Sequence, residues 1–296
     1  MKNLISICIA TRKRKKLLLA LLNSIAKIIV PSGYKIEIIL VINEASLEPY
    51  KKILNKFYKK ISLTILCEKK IGIVFARNRY LRHIKNKKSK YLAFFDDDCC
   101  VDQNWLISNL KILNSKLNCD IIAGPQISIS RSNYSKLLER NEPNLKKINW
   151  ASTNNCFLKK SIISKYKIYF SPKLHQIGGE DQLFFLQLKK RGASLIWNSN
   201  AKVYEYRNKS RENMRWFINR NLRYGTSSII IFRELHGKIN CYLFILMKIC
   251  NDIFLSLKSL ISLDKFPKNI LSFMMYSLRV VGIIFGLFRK QIYEYK

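Results

Sequence analysis

Short apolar strands alternate with amphipathic helices through about the first 125 residues, and this alternation restricts the chain to a small set of folds. Residues 4–10 are β-branched, apolar and uncharged, the pattern of a strand buried on both faces. Residues 17–29 carry apolar side chains at helical spacing, with Thr11 as a candidate cap, until Pro31, Ser32 and Gly33 break the pattern. A second buried strand at 36–42, a helix at 49–60, a third strand at 63–67, a helix at 72–84 behind a glycine-bearing loop and a fourth strand at 91–95 follow. Residues 104–117 read as a helix with Leu106, Leu110, Leu113 and Leu117 on one stripe, and 121–124 open another strand. Such an order folds as βαβ units around a mostly parallel sheet flanked by helices, an α/β fold. Ligands of these sheets bind at the carboxyl ends of the strands. Here those ends are Thr11-Arg12, Asn43-Glu44 and Asp96-Asp97-Asp98, which should therefore border one crevice.

Beyond this region, residues 131–147 are polar and read as a loop or short helices. A second cluster runs from Trp150 to Leu158 and on to Gly178-Gly179-Glu180-Asp181, followed by a helix that Gly192 should stop. After Arg233 the chain turns strongly apolar at 242–247, 253–263 and 270–288. The expected division is an α/β domain over 1–234 and a helical, membrane-associated segment over 235–296. The formal charge is +35, from 54 basic and 19 acidic residues, so the surface should attract polyanions or anionic lipid. No helix-turn-helix, zinc finger or basic stripe with aromatic platforms is present, so no specific nucleic-acid partner is expected. A basic nucleic-acid- or membrane-binding protein on an inactive version of the fold is the competing reading. Eight cysteines are scattered without a CxxC pair, which suits a reducing compartment. The short apolar run 4–10 precedes its basic cluster, the reverse of a secretory signal, and a cytoplasmic location is expected.

Three adjacent aspartates on a chain poor in acids repel one another, and something cationic must compensate them. In an extended segment Asp96 and Asp98 point one way and Asp97 the other. A divalent cation bridging this turn and a diphosphate fits, because Mg²⁺ commonly takes one or two carboxylates plus phosphate oxygens. A solvated acidic turn capping the next helix is the alternative. Thr11, Arg12 and Asn43 on strand tips are candidates for nucleotide contacts, and Arg77 could reach a base or phosphate through its planar fork.

Four stretches together resemble family 2 glycosyltransferases of the GT-A fold over roughly residues 4–230: Ile5 to Thr11 with basic residues behind it, Gly72-Ile73-Val74-Phe75-Ala76-Arg77-Asn78-Arg79, Phe94-Phe95-Asp96-Asp97-Asp98 with Trp105-Leu106 downstream, and Gly178-Gly179-Glu180-Asp181. A narrower likeness is to bacterial exopolysaccharide glucosyltransferases within that family. It rests on Ala201-Lys202-Val203-Tyr204-Glu205 followed by Arg211, Trp216, Arg220, Arg223 and Gly225, with Gly124-Pro125 and Asn155. The resemblance implies an inverting transfer from a nucleotide-diphosphate sugar, with a UDP-sugar favoured, to a glycan or polyprenyl-linked acceptor in cell-surface polysaccharide synthesis. It implies Mg²⁺ or Mn²⁺ held by Asp98, with Asp96 or Asp97 on the ribose or the metal. It makes Asp181 the general base and Glu180 a group that binds the acceptor or orients that base. Ile42 stands where the family usually has an Asp that recognises the base, and it cannot accept that hydrogen bond. Glu205 stands where many members carry a metal-binding His, and the narrower likeness makes Glu normal there; with Trp150, Asn154, Asn155 and Trp197 it is a candidate for the acceptor side, since aromatic faces and amides suit sugar hydroxyls, with core packing as the other reading of the tryptophans. Arg211, Arg220 and Arg223 with Trp216 could hold a diphosphate or lipid-linked phosphate, or form a solvated basic face.

Residues 270–288 hold a single charge, Arg279, and approach the length of a membrane span. Residues 242–263 are interrupted by Lys248, Asp252 and Lys258 and better suit an amphipathic surface helix. Peripheral attachment at the cytoplasmic face of the inner or plasma membrane, on its anionic surface, is expected. Packing on the domain or against a second copy is the alternative.

Overall fold

The structure is a computed structural model that describes residues 2–58, 61–115, 117–129, 139–207, 209–261, 268–288 and 292–293. The end of the helix expected at 49–60, residues 131–138 of the expected loop and the last two residues of the apolar stretch 253–263 lie outside the described residues. The main sheet has seven strands in the order β3-β2-β1-β4-β8-β6-β9. They are β1 (Asn3–Thr11), β2 (Tyr34–Ile42), β3 (Ser62–Cys67), β4 (Tyr91–Asp96), β6 (Ile121–Ala123), β8 (Cys156–Lys159) and β9 (Leu195–Trp197). Every neighbouring pair is parallel except those involving β8, which runs against both β4 and β6. A second, three-stranded sheet is ordered β5-β10-β7, from Cys99–Val101, Val203–Glu205 and Gln126–Ser128.

The alternation of side chains along each strand divides the core in two. Ile5, Ile7 and Ile9 of β1 and Ile38, Leu40 and Ile42 of β2 bury on one side, against Leu18, Leu21, Leu22 and Ile25 of α1 (Lys15–Ile25) and Trp105, Leu106 and Leu110 of α4 (Trp105–Leu113). Cys8 and Ala10 of β1 and Ile39 and Val41 of β2 bury on the other side. There they meet Val74, Ala76, Tyr80 and Leu81 of α3 (Ile73–Ile84), Ile162 of α5 (Lys160–Tyr166) and Phe184, Phe185 and Leu188 of α6 (Glu180–Lys190). Covering both faces with helices is what lets β1 and β2 be almost uniformly apolar. The short helix α2 (Lys51–Tyr58) follows a 3₁₀ turn at Glu48–Tyr50.

The chain divides into two compact units. The first comprises Met1–Ile129, Arg140–Phe170 and Phe184–Tyr206 and contains both sheets. The second comprises Ser130–Glu139, Ser171–Leu183 and Arg207–Lys296. It contains the long helices α7 (Met214–His236), α8 (Cys241–Ile261) and α9 (Lys268–Leu287). The expected boundary near 235 therefore falls at the end of α7, a helix that belongs with the C-terminal ones rather than with the sheet. The reason is local: Gly225 of α7 lies against the backbone of Arg279 and Ile283 in α9, an approach only a residue without Cβ allows.

Candidate active site

Parallel pairing aligns the strand tips. Thr11 is in register with Ile42, and Ala10 with Asp96, so the ends of β2, β1 and β4 lie side by side as their sequence implied. Just past β1 the chain turns through Lys13, whose φ of 56° is left-handed. Its backbone N–H donates to Glu44 Oε1 and to the Tyr50 hydroxyl, both at 2.8 Å, and that hydroxyl donates to the same Glu44 carboxylate. This clamp fixes the turn from which Arg14 extends. The Arg14 guanidinium then bridges the acidic turn, 3.0 Å from Asp97 Oδ1 and 2.9 Å from Asp98 Oδ2. Thr11 Oγ1 donates to the other oxygen of Asp97 at 2.7 Å. Thr11 was a candidate helix cap; its hydroxyl is directed instead at the acidic turn, and α1 begins at Lys15 with no side-chain cap.

Asp96 is the last residue of β4, and Asp97 and Asp98 form the turn into β5. Arg77 of α3, 5% exposed, donates from Nη2 to Asp96 Oδ1 at 3.0 Å while its guanidinium lies 5.5 Å from the Phe170 ring centroid. The small sheet places Glu205 opposite Cys99, and the Tyr206 N–H donates to the Asp98 carbonyl at 2.8 Å. Four carboxylates thus crowd one corner. Burial, then the charges of Asp96 and Asp97, push the Asp98 carboxyl up to about 7 against the pull of Arg14, with Glu205 adding to the rise. Burial also raises Asp97, opposed by Arg14 and Thr11. Among the described residues no three acidic, histidine or cysteine side chains converge as a ready-made metal cage. The donor set is nevertheless all oxygen, with Asp98 held in an environment that disfavours its unneutralised charge. It fits a hard divalent cation that draws its remaining ligands from phosphate and water.

Other expected residues have different surroundings. Asn43 is buried and donates to the carbonyls of Glu68 and Lys70 while accepting from the Gly72 N–H, so it shapes the loop ahead of α3. Arg12 is exposed. Asn155, 2% exposed, accepts from Trp105 Nε1 at 2.7 Å and donates to the carbonyls of Pro125 and Ala201. Both of its amide hydrogens and one lone pair of its oxygen are taken up in holding Trp105 and the segments ahead of β7 and β10. Trp150 is half-buried, with the Arg140 guanidinium 4.6 Å from its ring centroid and 5.1 Å from that of the buried Trp197.

The second acidic pair is built within the second unit. Gly178 and Gly179 take φ values of 82° and 87°, which only glycine adopts in succession without strain. Arg223 Nη1 donates to the Ile177 carbonyl at 3.0 Å and ties this loop to α7. Glu180 and Asp181 then occupy the first turn of α6, where the helix amides favour negative charge. Of the basic residues expected on α7, Arg220 is stacked 5.0 Å from the ring centroids of both Trp216 and Tyr224, and Arg223 is buried.

A family model described as "Glycosyl transferase family 2" matches residues 6–173, more than half of the chain. The chain belongs to this family. It is 26% identical over 245 residues to the "Succinoglycan biosynthesis protein ExoM" of Rhizobium meliloti (strain 1021), an alignment covering 79% of this chain and 77% of that one. Its fold is similar to the mannosyltransferase PcManGT of Pyrobaculum calidifontis, whose structure holds GDP-Man and Mn²⁺: the TM-score is 0.66 at 13% identity, over 98% of this chain and 89% of that one. It is also similar to S. aureus TarS, with a TM-score of 0.58 at 18% identity over 81% of this chain, and it spans 40% of that longer chain. The fold class expected from the strand and helix order, and the family resemblance read from four short stretches, are both established. The sequence of this family 2 member marks Glu44 as part of a strand tip but singles out neither Arg14 nor Tyr50. Arg14 is hidden in the run Arg12-Lys13-Arg14-Lys15-Lys16, where opposite charge to the aspartates marks the run as complementary without singling out one member.

Proposed function

We propose that the protein is an inverting transferase that moves a sugar from a nucleoside diphosphate, a UDP-sugar first, to a hydroxyl of a lipid-linked glycan during cell-surface polysaccharide synthesis. The observation that carries this reading is the buried turn Asp97-Asp98 at the tip of β4, paired with Arg14 and Thr11 from the tip of β1. A cluster of anions at that end of a parallel sheet, with a basic residue laid across it, is suited to a diphosphate and its counter-ion. Asp98 and Asp96 would hold a divalent cation, Mg²⁺ or Mn²⁺, whose charge offsets that of the departing diphosphate. Arg14 and Arg77 stand next to those carboxylates and supply fixed positive charge for the phosphates or the base. Thr11 fixes the orientation of Asp97, and Asn43 shapes the loop beside them.

Transfer breaks the bond between the anomeric carbon and the diphosphate oxygen and forms one to the acceptor oxygen on the opposite face. The acceptor's proton passes to Asp181, with Glu180 orienting the acceptor or the base. The nucleoside diphosphate leaves with the bonding electron pair. Likeness to the succinoglycan protein ExoM supports a polysaccharide acceptor. The apolar helices and net charge of +35 support work at the cytoplasmic face of an anionic membrane. A thermal-shift screen of UDP-, GDP-, CMP- and dTDP-sugars with and without Mn²⁺ tests the donor side. One nucleotide class should stabilise the protein only when Mn²⁺ is present, and no metal-dependent shift with any of them overturns the reading. Asp98→Ala and Asp181→Ala should each lower transfer by at least about 10³-fold, with the folded state retained on circular dichroism. Near wild-type turnover in either variant removes that residue from its role.

A further inference from the structure

Helix α8 carries an apolar face that its own unit does not cover. Leu243, Leu246, Met247, Phe254, Leu257 and Ile261 are each more than half exposed. At about 100° per residue they fall within one arc of the helix, and no charged residue lies in that arc. The opposite side of α8 is occupied. Cys241 and Ile245 pack with Ile229 of α7 and Ile283 of α9, and the Ser256 hydroxyl lies 2.8 Å from that of Ser277. Asp252 is buried and paired with Lys248 on this inner side. A continuous apolar face of this size on a soluble surface marks an interaction site.

The occupant is indicated by charge. The chain carries +35, and Lys238, Lys258 and Lys268, all exposed, stand before α8, beside its apolar arc and at the start of α9. Apolar side chains bordered by lysines are the pattern of a helix lying in the interface of an anionic bilayer. Helix α9 alone meets the length and composition of a membrane span among the described residues. It is fastened to α7 at three glycines: a Cβ on Gly282 would lie 2.0 Å from the Leu222 carbonyl oxygen, one on Gly225 2.2 Å from that of Arg279, and one on Gly286 2.9 Å from Ile229 Cγ1. Arg279 of α9 also donates to Asn221 of α7 at 3.3 Å. Helix α7 bears Arg215, Arg220, Arg223, Arg233 and Glu234, too many charges to follow α9 into hydrocarbon.

We infer that the protein is a monotopic membrane protein in which the exposed face of α8 lies in the surface of an anionic bilayer while α9 stays packed on α7. The purpose of this contact rests on the membrane-presented acceptor proposed above; the contact itself does not. In co-sedimentation, the full-length protein should bind phosphatidylcholine vesicles containing phosphatidylglycerol and bind pure phosphatidylcholine vesicles weakly. The double variant Leu246→Glu/Phe254→Glu should lose binding to the anionic vesicles by about tenfold or more, with its thermal melt and its hydrolysis of the soluble donor unchanged. Alkaline carbonate should release the wild-type protein from cell membranes. Retention after carbonate overturns the inference by showing a span. Undiminished vesicle binding by the double variant overturns it too, and if light scattering also shows a wild-type dimer made monomeric, the face is an interface between copies. Vesicle binding without any sugar transfer to a vesicle-borne lipid-linked acceptor would strike the proposed activity and leave the bilayer contact standing.

Discussion

Asp98 is a carboxylate that the fold keeps at a disadvantage. Burial and the charges of Asp96 and Asp97 lift it from the ordinary 3.8 to about 7, although Arg14 sits 2.9 Å away. Between those two values the folded protein holds a proton that the unfolded chain has released. Stability from this group is therefore complete below the unfolded value and is lost as pH rises through about 7. Asp98→Asn removes the titrating group and keeps an oxygen for Arg14. Each tenfold difference in proton affinity between the folded and unfolded chain is worth about 1.4 kcal/mol, so the variant should melt several degrees above wild type near pH 8, with the gap closing near pH 4. Melting curves across that range check this, and a difference that stays constant with pH would show that Asp98 is not strained by its charge. At this scale the sequence revealed the three aspartates because they stand out on a basic chain. It did not reveal that Arg14 rather than Arg12 reaches them, because that choice depends on the left-handed turn at Lys13 and its clamp by Glu44 and Tyr50. Nor did it reveal that Asn155 is buried and hydrogen-bonded to Trp105, Pro125 and Ala201 inside the fold, since an amide beside a strand looks the same whether it faces ligand or core.

Among the elements, the crossing of α7 and α9 is the most exposed to a single change. A methyl group at position 282 would meet the Leu222 carbonyl oxygen at 2.0 Å, a backbone atom that cannot swing aside. Gly282→Ala gains about 1 kcal/mol of helix propensity but forces two helices apart, and overpacking of this kind costs about 1–3 kcal/mol or more. The variant should melt lower than wild type, and a higher melting temperature would mean that the two helices do not pack this closely. The apolar pattern of residues located β1 to β4 and the helices between them, because β1, β2 and β4 are buried on both faces along most of their length. The strands of the small sheet, three residues each, carry no usable period, yet they bring Glu205 to the acidic turn. The helix expected over 104–117 stops at Leu113, where Ser115 takes over the local hydrogen bonds by donating to the Ile112 carbonyl and accepting from the Leu117 N–H. The boundary expected at 235 followed hydropathy, whereas the compact units follow the glycine contacts that hold α7 to α9.

For the molecule as a whole, the excess of 54 basic over 19 acidic residues bears on how the proposed substrates would be met. On the proposed function, a nucleotide sugar seated among buried carboxylates and arginines would be shielded from bulk ions, whereas an acceptor presented on an anionic surface would be reached through solvent-exposed charge. These two encounters should therefore separate under salt. Raising NaCl from about 0.1 M to about 1 M shortens the screening length from about 10 Å to about 3 Å. Transfer to a lipid-linked acceptor in phosphatidylglycerol-containing vesicles should fall by about tenfold or more over that range, mainly through a weaker apparent affinity for the vesicles. Hydrolysis of the soluble donor by the same preparation should change by less than about threefold, because its site is partly buried. Equal losses in both reactions would place the salt effect on the catalytic carboxylates. Equal retention would mean that the cationic surface has no part in meeting the acceptor, and that the apolar face of α8 suffices to bring enzyme and lipid together.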